Sequence, residues 1–477
     1  MTDSIGSQHR RNVSRRRFVQ AVGVTGAAGL AGCLGDDIDE VRLAANSDYA
    51  DIGDEIVAAL YDAGLDEEID VDITPGDDDT DSRRAEITSI LDAGRSHPDI
   101  FMMDSGWTVP FIIRDQLINL SDELADETID YAESEYLDSA LDTARDPETG
   151  ELYALPLFVD YPVMMYRQDL VEDAGYDPES ESWATEPMSW QAFAEIVEDV
   201  WDHHGGPDGD YDYGFTTQAA AYEGLACCTF NETMTSFGGA YFGDHENLFG
   251  PVGDRPITVD EEPVHDTIRM MRSFMYGPGD EDTLDGYPQI ASSDLVEFQE
   301  EPSREPFTAD NAIFHRNWPY AVVINGEEFG DDLGVMPIPY GVEEGEAEYA
   351  GTGGSSHALG GGHLAINPNT ERIGEVRSVL EAFASEPVMN TIMQELGQLP
   401  PDPSVTEGVD RDEIGVVGNY LDTFTAVGEN TVPRPATDVW PEQSALVYQE
   451  VHDAYTGRKT SEEAMGELEE LLADTEA

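Results

Sequence analysis

The chain has 477 residues, of which 101 are Asp or Glu and 23 are Lys or Arg, so its formal net charge is −78. This charge excludes nucleic acid as an electrostatic partner, because phosphate binding requires a basic surface. Hydrophobic residues make up 40% of the chain and include 20 Tyr and 17 Phe, which favours folded cores over disorder. The carboxylates therefore cover a folded surface, and their repulsion is screened at molar salt, where the Debye length is about 3 Å. Such a composition is typical of a protein from an extreme halophile.

The first 33 residues have the pattern of an export signal. Arg15 and Arg16 precede a Gly- and Ala-rich apolar segment that ends in the tetrad Leu-Ala-Gly-Cys at Cys33. This segment has roughly 14 residues, fewer than the roughly 20 that cross a bilayer. The arginine pair resembles a twin-arginine signal, and the tetrad resembles a lipobox, whose cysteine receives lipid. We therefore expect a signal peptide over residues 1–33, lipidation of Cys33, and an acidic tether over residues 34–40.

The following segment alternates between strand and helix patterns. Residues 41–45 and 69–73 have strand patterns, and an amphipathic helix is predicted near residues 52–63 between them. A charged helical segment over residues 83–93 then precedes an apolar strand at residues 100–103. This β-α-β-α-β order predicts a parallel sheet with helices on its faces.

The same alternation resumes in the second half of the chain. We find neither an internal repeat nor a long linker, which favours two intertwined α/β lobes. Short apolar strands are predicted at residues 311–314, 333–336 and 363–366, and helices with apolar faces at residues 190–201, 376–383 and 444–455.

Cysteine usage limits the disulfide and metal chemistry of the chain. With Cys33 assigned to the lipid, only the adjacent residues Cys227 and Cys228 remain. Lacking spaced partners, they form neither a disulfide framework nor a tetrahedral zinc site. We expect them to be buried as small apolar residues, with a disulfide between the two neighbours as the less favoured alternative. We expect no metal and no cofactor.

Aromatic residues at predicted strand ends and loops point to a carbohydrate ligand. Trp107 follows the strand at 100–103, Tyr161 stands beside Asp160 within an apolar run, and Trp318 and Trp440 lie beside polar residues. Aromatic rings stack on the apolar C–H faces of sugars, while carboxylates and arginines bind sugar hydroxyls. Core packing is the alternative for each of these rings.

Seven motifs in sequence order resemble those of the extracellular solute-binding proteins of sugar ABC transporters. Together they cover nearly all of the chain after Cys33. They lie at residues 97–101, 150–156, 165–170, 188–193, 307–318, 334–339 and 397–400.

Three segments are similar to the trehalose/maltose-binding branch of that family, namely residues 218–225 with Gly238-Gly239 after them, 316–320 and 434–435. By that similarity, the ligand cleft is lined by Asp104, Asp160, Tyr161, Tyr222, Glu223, Trp318 and Arg434. Residues 359–364 depart from the pattern, because the branch often carries an aromatic residue where this chain has Gly362. Either the cleft is wider there, or His363 or Trp440 compensates. The further candidate ligand contacts are Trp107, Gly361, His363 and Trp440.

The resemblance implies an α/β, two-lobed periplasmic-binding-protein-like fold of type II, in which crossing hinge strands join the lobes and the ligand binds between them. Lobe one is expected from residues 38–160 and 357–425, and lobe two from residues 163–355 and 430–477. Ligand binding would stabilise a hinge-closed form. A monomeric receptor, lipid-anchored at the extracellular face of the cell membrane, would then deliver a sugar to an ABC permease with cytoplasmic ATPases. The expected ligand is an α-glucoside such as trehalose or maltose, or a related oligosaccharide, and no catalytic step is required.

Three alternatives remain open from the residues. A secreted polysaccharide hydrolase would need two carboxylates about 5–10 Å apart across a cleft. A purely structural surface lipoprotein would lack a polar cleft lined with aromatics. A binding protein for glycerol phosphate or a polyol would keep the fold and change the ligand. Asn231 stands in an N-glycosylation pattern, but its expected place near the cleft argues against modification.

Overall fold

The computed structural model describes residues 40–77, 80–411, 414–428 and 430–477. The predicted signal peptide, with Arg15, Arg16 and Cys33, lies outside the described residues, as does the predicted tether before Glu40. Among the described helices, none combines the length and the apolar character needed to cross a membrane.

The described residues form two main sheets surrounded by helices. The strands are β1 (Glu40–Ala45), β2 (Asp70–Pro75), β3 (Ile100–Asp104), β4 (Leu155–Asp160), β5 (Val163–Arg167), β6 (Tyr213–Thr216), β7 (Ala312–Asn317), β8 (Leu333–Met336), β9 (His357–Ala358), β10 (Gly360–Ile366) and β11 (Thr431–Val432).

The α-helices lie between these strands and after them. They are α1 (Ser47–Asp51), α2 (Gly53–Asp62), α3 (Thr80–Asp92), α4 (Ser105–Ile113), α5 (Leu120–Glu123), α6 (Asp126–Glu135), α7 (Asp138–Asp142), α8 (Gln168–Asp173), α9 (Trp190–His203), α10 (Phe230–Ser236), α11 (Glu262–Tyr276), α12 (Glu300–Thr308), α13 (Pro319–Phe329), α14 (Ile373–Phe383), α15 (Glu386–Leu396), α16 (Ser404–Glu407), α17 (Leu421–Gly428), α18 (Trp440–Tyr455) and α19 (Ser461–Thr475). A π-helix over Leu225–Thr229 leads directly into α10.

The first sheet has the strand order β2-β1-β3-β10-β4. The predicted parallel pairing is confirmed for β1 with β2 and with β3. The pairing of β10 differs, because this strand runs antiparallel to both β3 and β4. Since β10 comes from a distant part of the chain, no local β-α-β unit dictates its direction.

The second sheet has the order β6-β7-β5-β8. Only two residues, Tyr161 and Pro162, lie between the end of β4 and the start of β5, and through them the chain crosses from the first sheet to the second. A return crossing runs through β9, which pairs with β11, into β10. The two crossings are joined at 2.7 Å by the Nδ1–H of His357, which donates to the carbonyl oxygen of Pro162.

Each sheet has its own hydrophobic core, and a third cluster packs on the second sheet. This third cluster includes α17, where the hydroxyl of Thr423 donates to the carbonyl of Val335 at 3.4 Å. Nearby, the hydroxyl of Tyr420 donates to the carbonyl of Leu333 at 2.9 Å. The predicted boundaries assign residues 357–425 to lobe one, whereas these contacts join part of that range to β8. These two contacts do not decide where one lobe ends and the other begins, so the lobe boundaries stay a prediction.

Candidate ligand-binding cleft

A cavity of about 610 Å³, called the cleft below, is lined by residues attached to both sheets. The wall on the side of the first sheet comprises Asn46, Thr80, Arg83, Met102, Met103, Asp104, Phe158, Asp160, Gly360, Gly361, Gly362 and Gln398. The remaining wall comprises Tyr222, Glu223, Gly224, Cys227, Cys228, Gln299, Glu300, Trp318, Tyr320 and Arg434. Aromatic, acidic and basic side chains are thus combined around one space.

A charged pair stands where β3 ends. Asp104 caps α4, since its Oδ1 accepts a hydrogen bond from the N–H of Gly106 at 2.8 Å. The same Oδ1 lies 3.4 Å from Nη2 of Arg434, whose Nη1 lies 3.9 Å from Oε1 of Glu223. A Cβ atom at Gly106 would lie 2.4 Å from Cζ of Arg434, so only glycine leaves room for the guanidinium. Within the described residues, the buried Nε of Arg434 has no hydrogen-bond partner.

The carboxyl of Asp160, at the end of β4, is a weaker acid than that of an ordinary aspartate. Burial raises the pKa of its carboxyl to about 7, with Arg316 opposing the shift and Asp104 adding to it. At neutral pH this carboxyl therefore exists in both protonation states. The protonated form donates a hydrogen bond and the ionised form accepts, so either can serve a ligand hydroxyl.

Two rings on the second wall have defined positions. Trp318 precedes α13, and its backbone N–H donates to Oδ1 of Asn317 at 2.8 Å. A Cβ atom at Gly360 would lie 3.1 Å from Cζ3 of the Trp318 ring, so the indole edge approaches β10 closely. The hydroxyl of Tyr222 donates to Oε1 of Glu300 at 2.7 Å, which fixes the direction of its ring.

Phe158 lies beside Gly362, where the sequence resemblance leads one to expect an aromatic residue. A Cβ atom at Gly362 would lie 2.5 Å from Cε1 of Phe158, so the phenyl ring occupies the space of the missing side chain. Sequence patterns did not identify Phe158, because it lies within an apolar strand and resembles a core residue. The ring beside Gly362 thus belongs to the neighbouring strand β4, and neither His363 nor Trp440 lines the cleft.

A buried ion pair lies behind the cleft wall. Nε and Nη2 of Arg316 donate to the two carboxylate oxygens of Glu232 at 2.6 and 2.5 Å. Nη1 of Arg316 donates to Oε1 of Gln218 at 2.6 Å, and Oε2 of Glu232 accepts from the N–H of Ala358 at 3.3 Å. The guanidinium carbon also stands 5.2 Å from the ring centre of Trp318. This network connects β7, α10 and β9 with a cleft residue.

Seven of the predicted ligand contacts stand on the cleft wall, and their contact with a ligand stays a prediction. These seven are Asp104, Asp160, Tyr222, Glu223, Trp318, Gly361 and Arg434. Sequence reasoning missed Phe158, Tyr320, Arg83 and Gln398 on the same wall.

Four predicted contacts lie off the cleft wall, inside the cores. Trp107 and Trp440 are 3% and 2% exposed and pack on Phe111 and Tyr241, respectively. Tyr161 turns away from the cleft, and its hydroxyl donates to the carbonyl of Phe424 at 3.2 Å. The preference for aromatic rings at strand ends does not reveal which way each ring points, so the prediction for these residues does not agree with the geometry.

His363 is the fourth residue directed into the interior. Its ring nitrogens are bonded to the hydroxyls of Thr108 and Thr143 at 3.0 and 3.3 Å. Burial lowers the pKa of His363 to about 4, so the ring is neutral at pH 7 and acts as a structural hydrogen-bonding group.

The adjacent cysteines also differ from expectation. Cys227 and Cys228 are buried, as predicted, but they form a disulfide rather than two free thiols. The prediction relied on the lack of spaced partners, and neighbouring cysteines rarely reach disulfide geometry. Asn231, one turn later, is 2% exposed, and its Nδ2 donates to the carbonyls of Cys227 and Pro433.

Residues 48–390 match the family model described as bacterial extracellular solute-binding protein. The chain belongs to this family. It is a solute-binding protein of an ABC transporter, which binds a small molecule and delivers it to a permease. Members of this family are binding proteins rather than enzymes, which excludes the alternative of a secreted polysaccharide hydrolase.

A sequence relative and two solved structures are similar to this chain. A probable ABC transporter-binding protein of Deinococcus radiodurans is 26% identical over 79% of this chain and 78% of its own length. Maltose-bound T. maritima MalE3 is 23% identical, with a TM-score of 0.70 over 91% of this chain and 98% of that one. UgpB from Mycobacterium tuberculosis, in complex with glycerophosphocholine, is 17% identical with a TM-score of 0.65 and the same coverage. The predicted two-lobed α/β fold of type II is thereby confirmed.

We expect Arg316→Met to lower the free energy of unfolding by about 3–5 kcal/mol, because it leaves the carboxylate of Glu232 buried without its partner. The double variant Arg316→Met/Glu232→Met should lose less than the single one, since no buried charge remains. Urea denaturation at constant molar KCl measures both. As a control, Arg411→Met breaks the exposed pair with Asp422 and should cost less than about 1 kcal/mol. Equal losses in the single and double variants would contradict this account.

Stability should depend on pH through Asp160. With its pKa at about 7 in the folded state and near 3.9 when unfolded, the folded protein holds the extra proton between these values. This contribution to stability is therefore full below about pH 4 and is lost as pH rises through about 7. Asp160→Asn removes the titration, so the variant should gain more stability over the wild type at pH 8 than at pH 5. Thermal unfolding at the two pH values tests this, and an equal difference at both would contradict it.

Proposed function

We propose that this protein captures a sugar, namely an α-glucoside such as trehalose or maltose or a related oligosaccharide, and delivers it to its permease. The observation that carries the proposal is the pairing of rings and hydroxyl-binding groups around one cleft. Trp318 and Phe158 offer flat apolar surfaces, while Asp104, Asp160 and Arg434 offer donors and acceptors. The maltose named for T. maritima MalE3 is consistent with this assignment.

Capture by hinge closure is supported by the crossings between the sheets. Tyr161 and Pro162 form one short crossing, and Leu359 separates β9 from β10 in the other. A ligand that contacts both walls binds the closed form more tightly and so shifts the population towards it. The permease would then recognise the closed form.

A phosphorylated ligand fits the cleft less well. UgpB binds glycerophosphocholine, so the fold itself accommodates such solutes. In the present cleft, however, Asp104 and Glu223 lie within 4 Å of Arg434, Glu300 lines the same space, and these carboxylates would repel a phosphate. A neutral polyhydroxy ligand avoids this repulsion.

Titration calorimetry in molar KCl with trehalose, maltose, maltotriose, glucose and glycerol 3-phosphate tests the sugar assignment. We expect saturable binding of at least one di- or oligosaccharide and none of the phosphate ester. Trp318→Ala should weaken binding about tenfold or more, the equivalent of about 1.4 kcal/mol of stacking energy. The control Tyr349→Ala alters a ring outside the cleft and should leave the affinity unchanged. Absence of heat with every sugar would overturn the assignment.

We further propose that the protein works at high ionic strength on the outer face of the cell membrane, exported through Arg15 and Arg16 and held by lipid on Cys33. The net charge of −78 and the signal pattern support this. Stable anchoring takes two lipid chains, because a single chain binds a membrane only marginally.

Cys33→Ala should release the receptor into the culture medium with its sugar affinity intact, since Cys33 precedes the described fold. Cell fractionation and immunoblotting measure the distribution. Arg15→Lys/Arg16→Lys serves as the comparison and should keep the protein inside the cell. A Cys33→Ala protein that remained with the membrane fraction would contradict the anchor.

A further inference from the structure

The disulfide between Cys227 and Cys228 lies on the cleft wall. Both cysteines stand in the π-helix Leu225–Thr229, which directly follows the cleft residues Tyr222, Glu223 and Gly224. Bulges of this kind inside helices occur frequently at functional sites. Neither cysteine is among the predicted sugar contacts.

The surroundings of the disulfide are apolar. Its two residues are 4% and 5% exposed and form a small hydrophobic cluster with Ala358, against which the ring of Trp318 packs. The disulfide and the indole therefore lie side by side on the cleft wall.

Hydrogen bonds hold this surface in place. The hydroxyl of Tyr241 donates to the carbonyl of Ala226 at 2.7 Å. Nδ2 of Asn231 donates at 3.3 Å to the carbonyl of Cys227 and, at the same distance, to that of Pro433, the residue before Arg434. The backbone of the disulfide-bonded residues is thus tied to the segment that carries the cleft residue Arg434.

The chemistry of this surface differs from that of the rest of the wall. Carboxylates and guanidinium groups bind hydroxyls, whereas a disulfide has no N–H or O–H to donate and is polarisable. It gains little from a hydroxyl edge and much from close contact with C–H groups. Joined to the indole, it suits the flat C–H face of a sugar ring.

We propose that the Cys227–Cys228 disulfide and Trp318 together form an apolar subsite that holds the C–H face of one pyranose ring of the ligand. This inference rests on the proposed sugar-binding function and identifies the ligand class further. A gluco-configured ring, whose hydroxyls are equatorial, presents axial C–H bonds on both faces and fits the subsite. An acyclic polyol presents no such face.

The test compares the oxidised protein, the protein reduced with a phosphine, and the double variant Cys227→Ala/Cys228→Ala, all in a Cys33→Ala background. Calorimetry with maltose and trehalose gives the affinities, and alkylation followed by mass spectrometry confirms the thiol state. We expect reduction and the double variant each to weaken binding by about tenfold, the scale of a lost apolar contact in a binding pocket. The phosphine should not change the affinity of the double variant, which controls for effects of the reagent.

A second measurement does not depend on folding of the variant. Saturating sugar should slow reduction of the disulfide by the phosphine at least severalfold, because the ligand covers the sulfurs. Mannitol, an acyclic polyol at equal concentration, should give no protection. If the double variant does not fold, reduction of the folded wild type and this protection assay decide the question.

The outcomes separate the two proposals. Tight sugar binding that changes less than twofold on reduction and in the double variant, without protection of the disulfide, would overturn the subsite and leave the sugar assignment standing. An oxidised protein that binds none of the sugars would overturn both.

Discussion

The buried pair of Arg316 and Glu232 is the constraint on which the cleft depends. Removing two charges from water costs several kcal/mol for each ion unless both are paired and their remaining hydrogen-bonding positions are filled. Here Gln218 and the N–H of Ala358 complete the pair. Satisfying it fixes β7 against α10 and β9, and therefore sets where Trp318 and the disulfide stand. The buried ion pair behind the cleft wall thus positions the side chains on which a sugar ring would stack.

Charge inside the cleft is arranged differently from charge on the surface. Most carboxylates of this chain are solvated, and salt screens their repulsion. Around the cleft, Asp104 is held within 3.4 Å of Arg434, while burial shifts Asp160 towards the neutral form. The negative electrostatic potential inside the cleft is therefore weaker than the net charge of the chain suggests. A neutral ligand can enter without displacing a tightly held counterion.

Local patterns predicted most of the secondary structure, because strand and helix periodicities depend on neighbouring residues. The strand predicted at 41–45 is Glu40–Ala45, and the one at 100–103 is Ile100–Asp104. The relative positions of segments that are distant in the chain were harder to predict from the sequence. The antiparallel insertion of β10, the inward direction of Trp107 and Trp440, and the ring of Phe158 beside Gly362 depend on contacts between distant segments. Composition and spacing do not encode them.

The insertion of β10 has a consequence for the order in which the protein can fold. Strand β10 lies between β3 and β4 in the first sheet, although it is made about 200 residues after β4. While the chain is being synthesised, β3 and β4 therefore lack the strand that joins them, and their edges remain open to wrong partners. The first sheet becomes complete only after residue 366 has left the ribosome. Whatever protects the nascent chain must tolerate an unfinished sheet until residue 366 has been made.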